Sequence, residues 1–461
     1  MTPKPGIAQT VDAIVVGMGA GGEHVATRLA EAGLSVIGVE ARLVGGECPY
    51  YACVPTKMMV RAANCLAEAR RVDQLAGSAT PRPDWSPVAA RIREEATDDW
   101  DDTAAVERFE KSGGRFIRGW GRITGPGEVT VTTATGPLAL RADRAIVLNP
   151  GTAPTIPPIP GLVDTPYWTN RDAVAATTVP ESLIVIGGGP VACELSQVFA
   201  RFGAQVTMLV RSSLLPRDEP EAGELIADVF TAEGVTVRTG ASAGAVEYDG
   251  QRFTVYPEGG EPLRSRRLLI ATGRHTDLAA LGVAAVGLDD AVPTIAVDDR
   301  MRAADGVWAI GDVTGRGAFT HMSMYEARIA VDDILRRPTE PADDRAVPRV
   351  TFTDPEVGSV GLTEAAADSA GIPVLIGRSA IPQSARGWIH KAGNEGFIKL
   401  VADPESGVLV GATSVGPAGG EVLAVLTLAV HARVPIRTLK QMIYAYPTFH
   451  RAIETALENL G

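Results

Sequence analysis

The sequence predicts an α/β protein with two Rossmann-like dinucleotide-binding units and a C-terminal α+β region. The two units are predicted because a buried strand leads into a glycine-rich turn and a helix near Gly17, and the same pattern returns near Gly187. The C-terminal region is predicted because the pattern changes from Pro348 onward to short strands followed by helices. Because the second unit repeats the βαβ pattern of the first with the same spacing of residues, we expect each unit to bind its own dinucleotide.

The first unit starts with the apolar run from Asp12 to Gly17, which predicts a buried parallel strand. Gly19 and Gly22 complete a GxGxxG turn that opens a helix, and the next strand ends at Glu40, 23 residues after Gly17. These glycines allow a tight turn and let a pyrophosphate approach the helix N-terminus. Glu40 is placed to accept a hydrogen bond from a ribose hydroxyl.

The second unit repeats this spacing with a strand at 183–186, then Gly187, Gly189 and Ala192 at the start of a helix. The position that matches Glu40 is Val210, so the acid that would bind the 2′-hydroxyl of NADH is missing. Two arginines follow, Arg211 and Arg217. They either clamp a 2′-phosphate or are two ordinary surface arginines, and the clamp predicts NADPH.

The remaining stretches complete the predicted order of elements. Charged helices are expected at 58–76 and 87–112, short antiparallel strands within 119–140, and a stiff Pro-rich linker at 156–160. In the C-terminal region we expect strands near 349–352, 374–378, 397–402 and 408–415, with helices at 420–432 and 436–441.

The composition excludes several classes of protein. The 461 residues carry a net charge of -12, which argues against binding to nucleic acid phosphates. Four cysteines are too few for a secreted disulfide framework, the first twelve residues lack a signal-peptide pattern, and the apolar stretch 422–430 is too short to span a bilayer. We expect a soluble cytoplasmic protein that binds neither nucleic acid nor membrane and holds no metal ion.

Cys48 and Cys53 follow the first unit closely. A thiol pair beside a redox cofactor can pass two electrons as a disulfide, and in a reducing compartment a lasting disulfide needs such a reason. The spacing suits an irregular turn that enters a helix, whose N-terminus would lower the pKa of a thiol. Cys65 and Cys193 fall within predicted helices, and we expect both to be buried and inert.

On these motifs, the chain resembles the FAD-dependent pyridine nucleotide–disulfide oxidoreductases, such as glutathione reductase, dihydrolipoamide dehydrogenase and mercuric reductase. Three further family motifs occur in the family's order: ATGR at 271–274, which contains the cofactor-binding candidates Gly273 and Arg274, AIGD ending at Asp312, and FTDPEVGSVGLTE at 352–364. The resemblance covers nearly the whole chain. NADPH-using glutathione reductases are also similar at Ala192, Arg211 and Arg217.

The resemblance implies FAD and NADPH as cofactors, a homodimer and a small-molecule electron acceptor. It also implies four domains. These are an FAD-binding domain at 1–155, an NAD(P)H-binding domain at 156–280, a central domain that completes the FAD site at 281–345, and a dimerisation domain at 346–461.

Five site roles follow from the resemblance. Asp312 would hold the ribityl chain of the flavin. Lys57 would lie near flavin N5 and pair with Glu194, because a cation there stabilises the electron-rich reduced flavin and the carboxylate offsets the cost of burying the cation. Cys53 would contact the flavin as the charge-transfer thiolate, and Cys48 would attack the acceptor.

The chain departs from its relatives near its C-terminus. Disulfide reductases of the family carry a His-x-His-Pro-Thr-x-x-Glu sequence, whose second histidine, oriented by the glutamate, is the general acid and base. Here the histidine position is Tyr446 and the glutamate position is Arg451. A tyrosine cannot cycle protons near neutral pH unless its pKa falls far below about 10. His450 is either a substitute, out of helical phase by about a hundred degrees, or a solvated helix residue.

Reduction of a common small disulfide is therefore not expected. We expect electrons to pass from NADPH to FAD, then to the Cys48–Cys53 disulfide, and then to another acceptor at the dimer interface. Three alternatives stay open: a mercuric-reductase-like reductase of a metal ion or quinone, a dihydrolipoamide-dehydrogenase-like enzyme, and a non-catalytic flavin-binding redox sensor. Mercuric reductases share the tyrosine but usually add a C-terminal vicinal cysteine pair, which we do not see before Gly461. Tyr50 and Tyr51 either line the pocket or the flavin edge, or pack in the core. The pocket candidates are Tyr50, Tyr51, His321, Tyr444, Tyr446, His450 and Arg451.

Overall fold

The computed structural model describes residues 9–461. Its strands, in chain order, are β1 Gln9–Val16, β2 Val36–Glu40, β3 Arg115–Arg118, β4 Trp120–Gly125, β5 Glu128–Thr133, β6 Gly136–Leu148, β7 Ala153–Pro154, β8 Ser182–Ile186, β9 Gln205–Val210, β10 Thr236–Thr239, β11 Ala243–Tyr248, β12 Phe253–Pro257, β13 Leu263–Ser265, β14 Arg267–Ile270, β15 Arg274–His275, β16 Arg302–Ala304, β17 Val307–Ala309, β18 Pro348–Thr351, β19 Glu356–Gly361, β20 Leu375–Ala380, β21 Phe397–Asp403 and β22 Val408–Gly416.

Helices lie between groups of these strands and after the last strand. The α-helices are α1 Ala20–Glu31, α2 Glu47–Tyr50, α3 Cys53–Arg71, α4 Ser86–Arg91, α5 Thr103–Lys111, α6 Asn170–Val174, α7 Pro190–Arg201, α8 Pro220–Ala232, α9 Leu278–Leu281, α10 Thr320–Ile334, α11 Glu364–Ser369, α12 Ala385–His390, α13 Gly419–His431, α14 Ile436–Gln441 and α15 Ala452–Glu458. Short 3₁₀ turns lie at Val72–Gln74, Val283–Val286, Gly311–Thr314 and Ile381–Gln383, and a π-helical turn lies at Ile92–Ala96.

The chain divides into two compact units. The first combines the described part of Met1–Pro55 with Arg93–Thr155 and Arg274–Asp344, and the second combines Thr56–Ile92, Ile156–Gly273 and Arg345–Gly461. The four domains expected from the sequence, with their bounds, stay a prediction.

The first unit is built on a sheet of the order β16-β17-β6-β1-β2-β3, in which β4 and β5 extend β6 as antiparallel strands. Strands β1, β2, β3 and β6 pair in parallel. The residues of β1 from Ala13 to Val16 are all buried, as expected for a strand covered on both faces. The glycine turn that follows β1 therefore lies at the carboxyl edge of the sheet, where α/β proteins bind ligands.

The second unit contains a parallel sheet of the order β10-β9-β8-β14 and an antiparallel sheet of the order β18-β19-β22-β21-β20. Strand β8 is buried along its whole length. Helix α13 packs on β19 and β22, with Leu423 and Leu426 in the core of this part. A small sheet of β11, β12 and β13 completes the unit.

The predicted fold class is confirmed, because both βαβ units and the C-terminal α+β region are present. Several elements were not predicted, among them strand β19 and helix α10. The two glycines of β19, at 358 and 361, weaken its strand pattern, and polar residues interrupt the apolar face of α10. No helix between residues 9 and 461 has both the length and the apolar character needed to cross a bilayer. The first twelve residues were expected to lack a signal peptide, and residues 1–8 of that segment lie outside the described residues.

Candidate active site

The first glycine turn brings backbone atoms into close contact. Gly17 has φ +92°, and a Cβ there would collide with the carbonyl oxygen of Asn149. A Cβ on Gly22 would collide with the carbonyl oxygen of Gly17. Gly19 is the N-cap of α1, and no side chain caps this helix. The N-terminal amides of α1 therefore suit a pyrophosphate, as the predicted FAD site requires.

Glu40 ends β2 beside this turn. Its Oε2 accepts a hydrogen bond from the backbone N of Met18 at 2.9 Å, and its Oε1 accepts one from the backbone N of Arg42 at 2.7 Å. Burial raises the pKa of the Glu40 carboxyl, against the effect of these hydrogen bonds. The carboxylate is thus oriented by the backbone next to the glycine turn, which fits the predicted contact with a ribose.

The second glycine turn has the same construction. Gly187 has φ +137°, and a Cβ there would collide with the carbonyl oxygen of Ala271. Gly189 is the N-cap of α7 and, as in α1, no side chain caps the helix. Ala192 is fully buried, so a small side chain is required at this position. These residues fit a second dinucleotide.

The loop after β9 folds back onto this second turn. Leu215 donates from its backbone N to the carbonyl oxygen of Gly188 at 2.8 Å. Arg211 and Arg217 lie in this loop, and both are exposed. The carbonyl oxygen of Arg217 accepts from Arg349 at 3.0 Å, which fixes the far side of the loop. Both arginines therefore lie in a loop that is held against the fingerprint.

The two cysteines lie at the starts of successive helices. Cys48 is in α2, and Cys53 is the first residue of α3. The Sγ of Cys53 lies 3.4 Å from Oγ1 of Thr320, at the start of α10. A hydrogen bond with Cys53, together with burial, raises the pKa of the Cys48 thiol, although Thr320 acts in the opposite direction. The predicted lowering of the thiol pKa is therefore wrong for Cys48, which keeps its proton while Cys53 is its partner.

Lys57 and Glu194 form the expected ion pair. Nζ of Lys57 lies 2.7 Å from Oε2 of Glu194, and the Glu194 side chain is 6% exposed. The other carboxylate oxygen accepts from the backbone N of Phe352 at 2.9 Å, and Nζ of Lys57 lies 4.7 Å from the centre of the Phe352 ring. The ammonium group is therefore held by a carboxylate on one side and an aromatic face on the other.

Asp312 is held by two neighbours in the first unit. It lies 3.2 Å from Arg274 and accepts from the hydroxyl of Thr152 at 2.9 Å. Gly273, just before Arg274, has φ +122°, which favours glycine. The structure thus brings Arg274 and Asp312 together, two residues that the sequence pointed to separately.

A buried carboxyl lies beside this aspartate. Glu326 is 1% exposed and accepts hydrogen bonds from the backbone N of Gly311 at 2.6 Å and from the hydroxyl of Thr314 at 3.1 Å. Burial raises the pKa of Glu326 to about 7. Sequence reasoning missed both Glu326 and Thr320, because neither stands in a recognisable motif and only the fold brings them to Asp312 and Cys53.

The C-terminal segment brings Tyr446 and Arg451 together. Tyr446 is 71% exposed, and the guanidinium of Arg451 lies 5.5 Å from the centre of its ring. Arg451 also pairs with Glu454 at 2.9 Å. His450 lies in a turn, since α15 begins only at Ala452. The expected helical phase of His450 was therefore wrong, because Pro447 and the turn after it delay the helix.

Three other pocket candidates occupy different environments. Tyr444 is buried and donates to the carbonyl oxygen of Leu439 at 3.1 Å, and burial raises its pKa to about 12, so it remains a neutral phenol. Tyr50 is 6% exposed and packs in the core. The exposed ring of His321 stacks on Phe319 at 5.1 Å.

The remaining cysteines differ from each other. Cys193 is buried as predicted, and burial raises the pKa of its thiol. Cys65 is exposed on α3 and accepts a hydrogen bond from Arg61, so its predicted burial is wrong. That prediction rested on the general tendency of free cysteines to be buried, whereas positions 61 and 65 lie on the outer face of α3. Across residues 9–461, no group of three or more His, Cys, Asp or Glu side chains is arranged to hold a metal ion.

Comparison with known proteins agrees with this arrangement. Two of the related protein sequences match almost the whole chain. The mercuric reductase of Shewanella putrefaciens is 32% identical over 98% of this chain and 82% of its own length. The dihydrolipoyl dehydrogenase of Haloferax volcanii is 32% identical over 98% of this chain and 97% of its own.

Solved structures show the same fold. The Cu(II) complex of the HOCl-induced flavoprotein disulfide reductase RclA from Escherichia coli superposes with a TM-score of 0.85 and 25% identity, and the match covers 98% of this chain and 99% of that one. Residues 11–328 match the family described as pyridine nucleotide-disulphide oxidoreductase, and residues 347–457 match the dimerisation domain of the same family. This chain therefore belongs to the pyridine nucleotide-disulphide oxidoreductases, FAD-dependent enzymes with NAD(P)H as electron donor.

Proposed function

We propose that this protein is an NADPH-dependent flavoprotein oxidoreductase that passes two electrons through Cys48 and Cys53 to a small-molecule acceptor other than a common small disulfide. The observation that carries the proposal is the side-chain hydrogen bond between Cys48, in α2, and Cys53, the first residue of α3. Lys57 lies four residues farther along the same helix, paired with Glu194. A thiol pair and a fixed cation in this order suit a two-electron relay.

The chemistry divides between the two sulfurs. FAD, held by the first glycine turn and Glu40, would pass the nicotinamide hydride's two electrons to the Cys48–Cys53 disulfide. With the one proton that the hydride carries, the S–S bond would open to one thiol and one thiolate. The raised pKa of Cys48 means that it keeps its proton while Cys53 is the hydrogen-bond acceptor, so Cys53 is the sulfur suited to the thiolate role. Two electrons then leave the dithiol for the acceptor, and the disulfide closes again.

The coenzyme proposal rests on the loop after β9. Val210 offers no carboxylate to a ribose 2′-hydroxyl, and Arg211 and Arg217 carry two guanidinium groups in the loop that contacts Gly188. Guanidinium groups bind phosphates through paired hydrogen bonds. Glu40 in the other unit gives an internal contrast, because there the acid is present. These features favour NADPH over NADH.

The acceptor proposal rests on Tyr446 and Arg451. Reduction of an ordinary disulfide releases a thiolate that a histidine must protonate, and no histidine stands at this position. Arg451 lies against the ring of Tyr446 and is positively charged, so it cannot orient a base as a carboxylate does. An acceptor that needs no general acid fits this site better than glutathione disulfide or lipoamide.

A second candidate within this proposal is reduction of a soft metal ion or a quinone. Thiolates are the preferred protein ligands of soft metal ions. Mercuric reductases are among the relatives at 32% identity, and RclA was solved as a Cu(II) complex. A metal ion would be substrate, held by the cysteines themselves. The dihydrolipoyl dehydrogenase relatives make an activity on lipoamide another candidate. The replacement of the histidine and glutamate by Tyr446 and Arg451 argues against this activity. The paired Lys57 and the thiol contact disfavour a non-catalytic sensor.

We further propose a homodimer in the cytoplasm. Ile443 and Tyr446 are 96% and 71% exposed, and both lie in the part that matches the dimerisation domain. Large apolar side chains are rarely so exposed in a group unless a partner covers them. The cytoplasm keeps thiols reduced between turnovers, as a dithiol relay requires.

The test is NADPH oxidation with a panel of acceptors: Hg(II), Cu(II), a benzoquinone, lipoamide and glutathione disulfide. We expect a metal ion or the quinone to give a kcat/KM at least tenfold above that of either disulfide. Activity should be lost in Cys48→Ser and kept in Cys65→Ser, which removes an exposed thiol on the outer face of α3. If glutathione disulfide is the best acceptor, the proposal is wrong. If Cys48→Ser reduces the quinone as fast as the wild type does, the quinone receives its electrons without the cysteine pair, and this result would contradict the proposed electron path.

A further inference from the structure

Trp100 lies against the segment that joins the two cysteines. Its ring stacks on Tyr51, with the ring centres 6.2 Å apart and the planes 26° apart. Tyr51 stands between Cys48 and Cys53 and is the C-cap residue of α2. The indole Nε1 of Trp100 is buried and has no hydrogen-bond partner among residues 9–461. The indole therefore contacts its surroundings through the face of its ring and not through a hydrogen bond of its N–H group.

The backbone that presents Trp100 is strained. Asp98, Asp99 and Trp100 have φ values of +47°, +54° and +59°, three left-handed residues in succession without a glycine. Aspartate tolerates this region, but a bulky tryptophan rarely adopts it. A π-helical turn at Ile92–Ala96 comes just before, and Asp99 N donates to the carbonyl oxygen of Arg93 at 2.7 Å. Such strain persists only where surrounding contacts impose it, and it concentrates at functional sites.

The same segment holds the cysteine loop at a second point. Asp102 is 8% exposed, and its Oδ2 accepts from the backbone N of Val44 at 2.7 Å. Both carboxylate oxygens of Asp102 also accept from Arg118, at 2.8 and 2.6 Å. Val44 is fully buried and stands four residues before Cys48. The loop is therefore held before the first cysteine by Asp102 and between the cysteines by Trp100.

We propose that Trp100 and Tyr51 form an aromatic brace that sets the redox equilibrium of the Cys48–Cys53 pair, with Trp100 as a positioning residue. The proposal rests on the redox role proposed above and deepens it. A disulfide is favoured over two thiols to the extent that the fold holds the two sulfurs close together. The brace restricts the segment between them, and its loss lets Cys48 move away from Cys53.

The direction of the effect follows from the exchange reaction. One glutathione disulfide oxidises the Cys48–Cys53 dithiol, so the intramolecular S–S bond forms while two glutathione thiols are released. Freer cysteines make this ring closure less favourable. We expect Trp100→Ala to lower the equilibrium constant for disulfide formation about tenfold, which corresponds to a midpoint potential about 30 mV less negative.

The experiment equilibrates the FAD-loaded protein with glutathione and glutathione disulfide at a series of ratios, without oxygen. Free thiols are then alkylated, and the peptides with Cys48 and Cys53 are quantified by mass spectrometry. Trp100→Ala keeps the Cβ and the left-handed strain but removes the ring. Trp100→Phe keeps an aromatic face towards Tyr51 but removes the five-membered ring of the indole, with the N–H that has no partner, so its equilibrium constant should stay close to that of the wild type.

A wild-type equilibrium constant in Trp100→Ala would overturn the brace, and so would an equal loss in Trp100→Phe. If Trp100→Ala does not fold, Tyr51→Leu and Tyr51→Phe test the same contact from the other side, with the same expected difference. A wild-type protein whose cysteines form no disulfide at any ratio would overturn the proposed function and the brace with it. Normal disulfide formation that is unaffected by any of these variants would overturn the brace alone.

Discussion

Nζ of Lys57 lies 2.7 Å from Oε2 of Glu194, across 137 residues of sequence. Glu194 sits in α7, just after the second glycine turn, and also accepts from the backbone N of Phe352. A carboxylate that is 6% exposed needs such partners, because an unpaired buried charge is costly. The pair therefore fixes the position of one cation in the helix that starts with Cys53.

Replacing Lys57 tests the role proposed for this cation. A nearby positive charge stabilises the electron-rich reduced flavin, so Lys57→Met should make the flavin midpoint potential more negative, by about 30 mV or more, which is tenfold in a two-electron equilibrium. The measurement is spectroelectrochemical titration of the FAD-loaded protein. Lys111→Met is the control, since that side chain is 77% exposed and pairs with Glu107 in its own helix. An unchanged flavin midpoint potential in Lys57→Met would contradict the role proposed for Lys57 beside the flavin.

Coenzyme preference should depend on Arg211 and Arg217. Changing both to alanine removes two charge-assisted contacts to a 2′-phosphate, and we expect kcat/KM for NADPH to fall about tenfold to a hundredfold while that for NADH stays within about twofold. Steady-state kinetics with both coenzymes gives the result. Arg264→Ala, an exposed arginine on β13, should leave both values unchanged. Equal kcat/KM values for NADPH and NADH in the wild type would exclude the clamp.

The buried carboxyl of Glu326 should make stability depend on pH. Its pKa is raised to about 7 from an ordinary value of 4.5, so the folded protein binds this proton more tightly than the unfolded chain does. The free energy of unfolding should therefore fall as pH rises from about 5 to about 8, by roughly 2 kcal/mol from this group.

Glu326→Gln should remove that dependence. A glutamine oxygen can accept from Gly311 N, and its amide can donate to Thr314 Oγ1, so both hydrogen bonds have a neutral replacement. Urea unfolding of wild type and variant at pH 5 and pH 8 measures the difference. We expect the variant to be more stable than the wild type at pH 8 and close to it at pH 5. The same difference at both pH values would contradict the raised pKa.

The proposed dimer should depend on Ile443. A charge at a side chain that is 96% exposed costs the monomer little, but it is costly inside an interface. Ile443→Asp should therefore shift the mass measured by light scattering from dimer towards monomer at micromolar concentration. Val163→Asp, at a side chain 71% exposed outside the dimerisation domain, should leave the mass unchanged. A wild type that is already monomeric at this concentration would refute the dimer.

Local pattern was enough to predict the two βαβ units, because glycine spacing and buried strands act over a few residues. Gly17, Gly22 and Gly187 stand where a Cβ would collide with backbone, a requirement that leaves a clear trace in sequence. The contact of Lys57 with Glu194 was expected from the family resemblance alone.

Features set by tertiary packing could not be predicted in this way. Thr320 lies 267 residues from Cys53, and Trp100 faces Tyr51 through a left-handed segment that no propensity indicates. Cys65 was expected to be buried because free cysteines usually are, but which face of α3 is covered depends on tertiary packing. The raised pKa of Cys48 depends on its contact with Cys53, whereas the helix N-terminus alone suggested the opposite direction.

The measurement that tests the central claim most directly is an anaerobic titration of the FAD-loaded protein with NADPH, followed by visible absorbance. The proposed relay predicts a long-wavelength charge-transfer band that is complete after two electrons per flavin in the wild type. The band should be absent in Cys53→Ser and present in Cys65→Ser. A band that persists in Cys53→Ser, or a wild type in which NADPH bleaches the flavin without any such band, would contradict the assignment of Cys48 and Cys53 as the electron path.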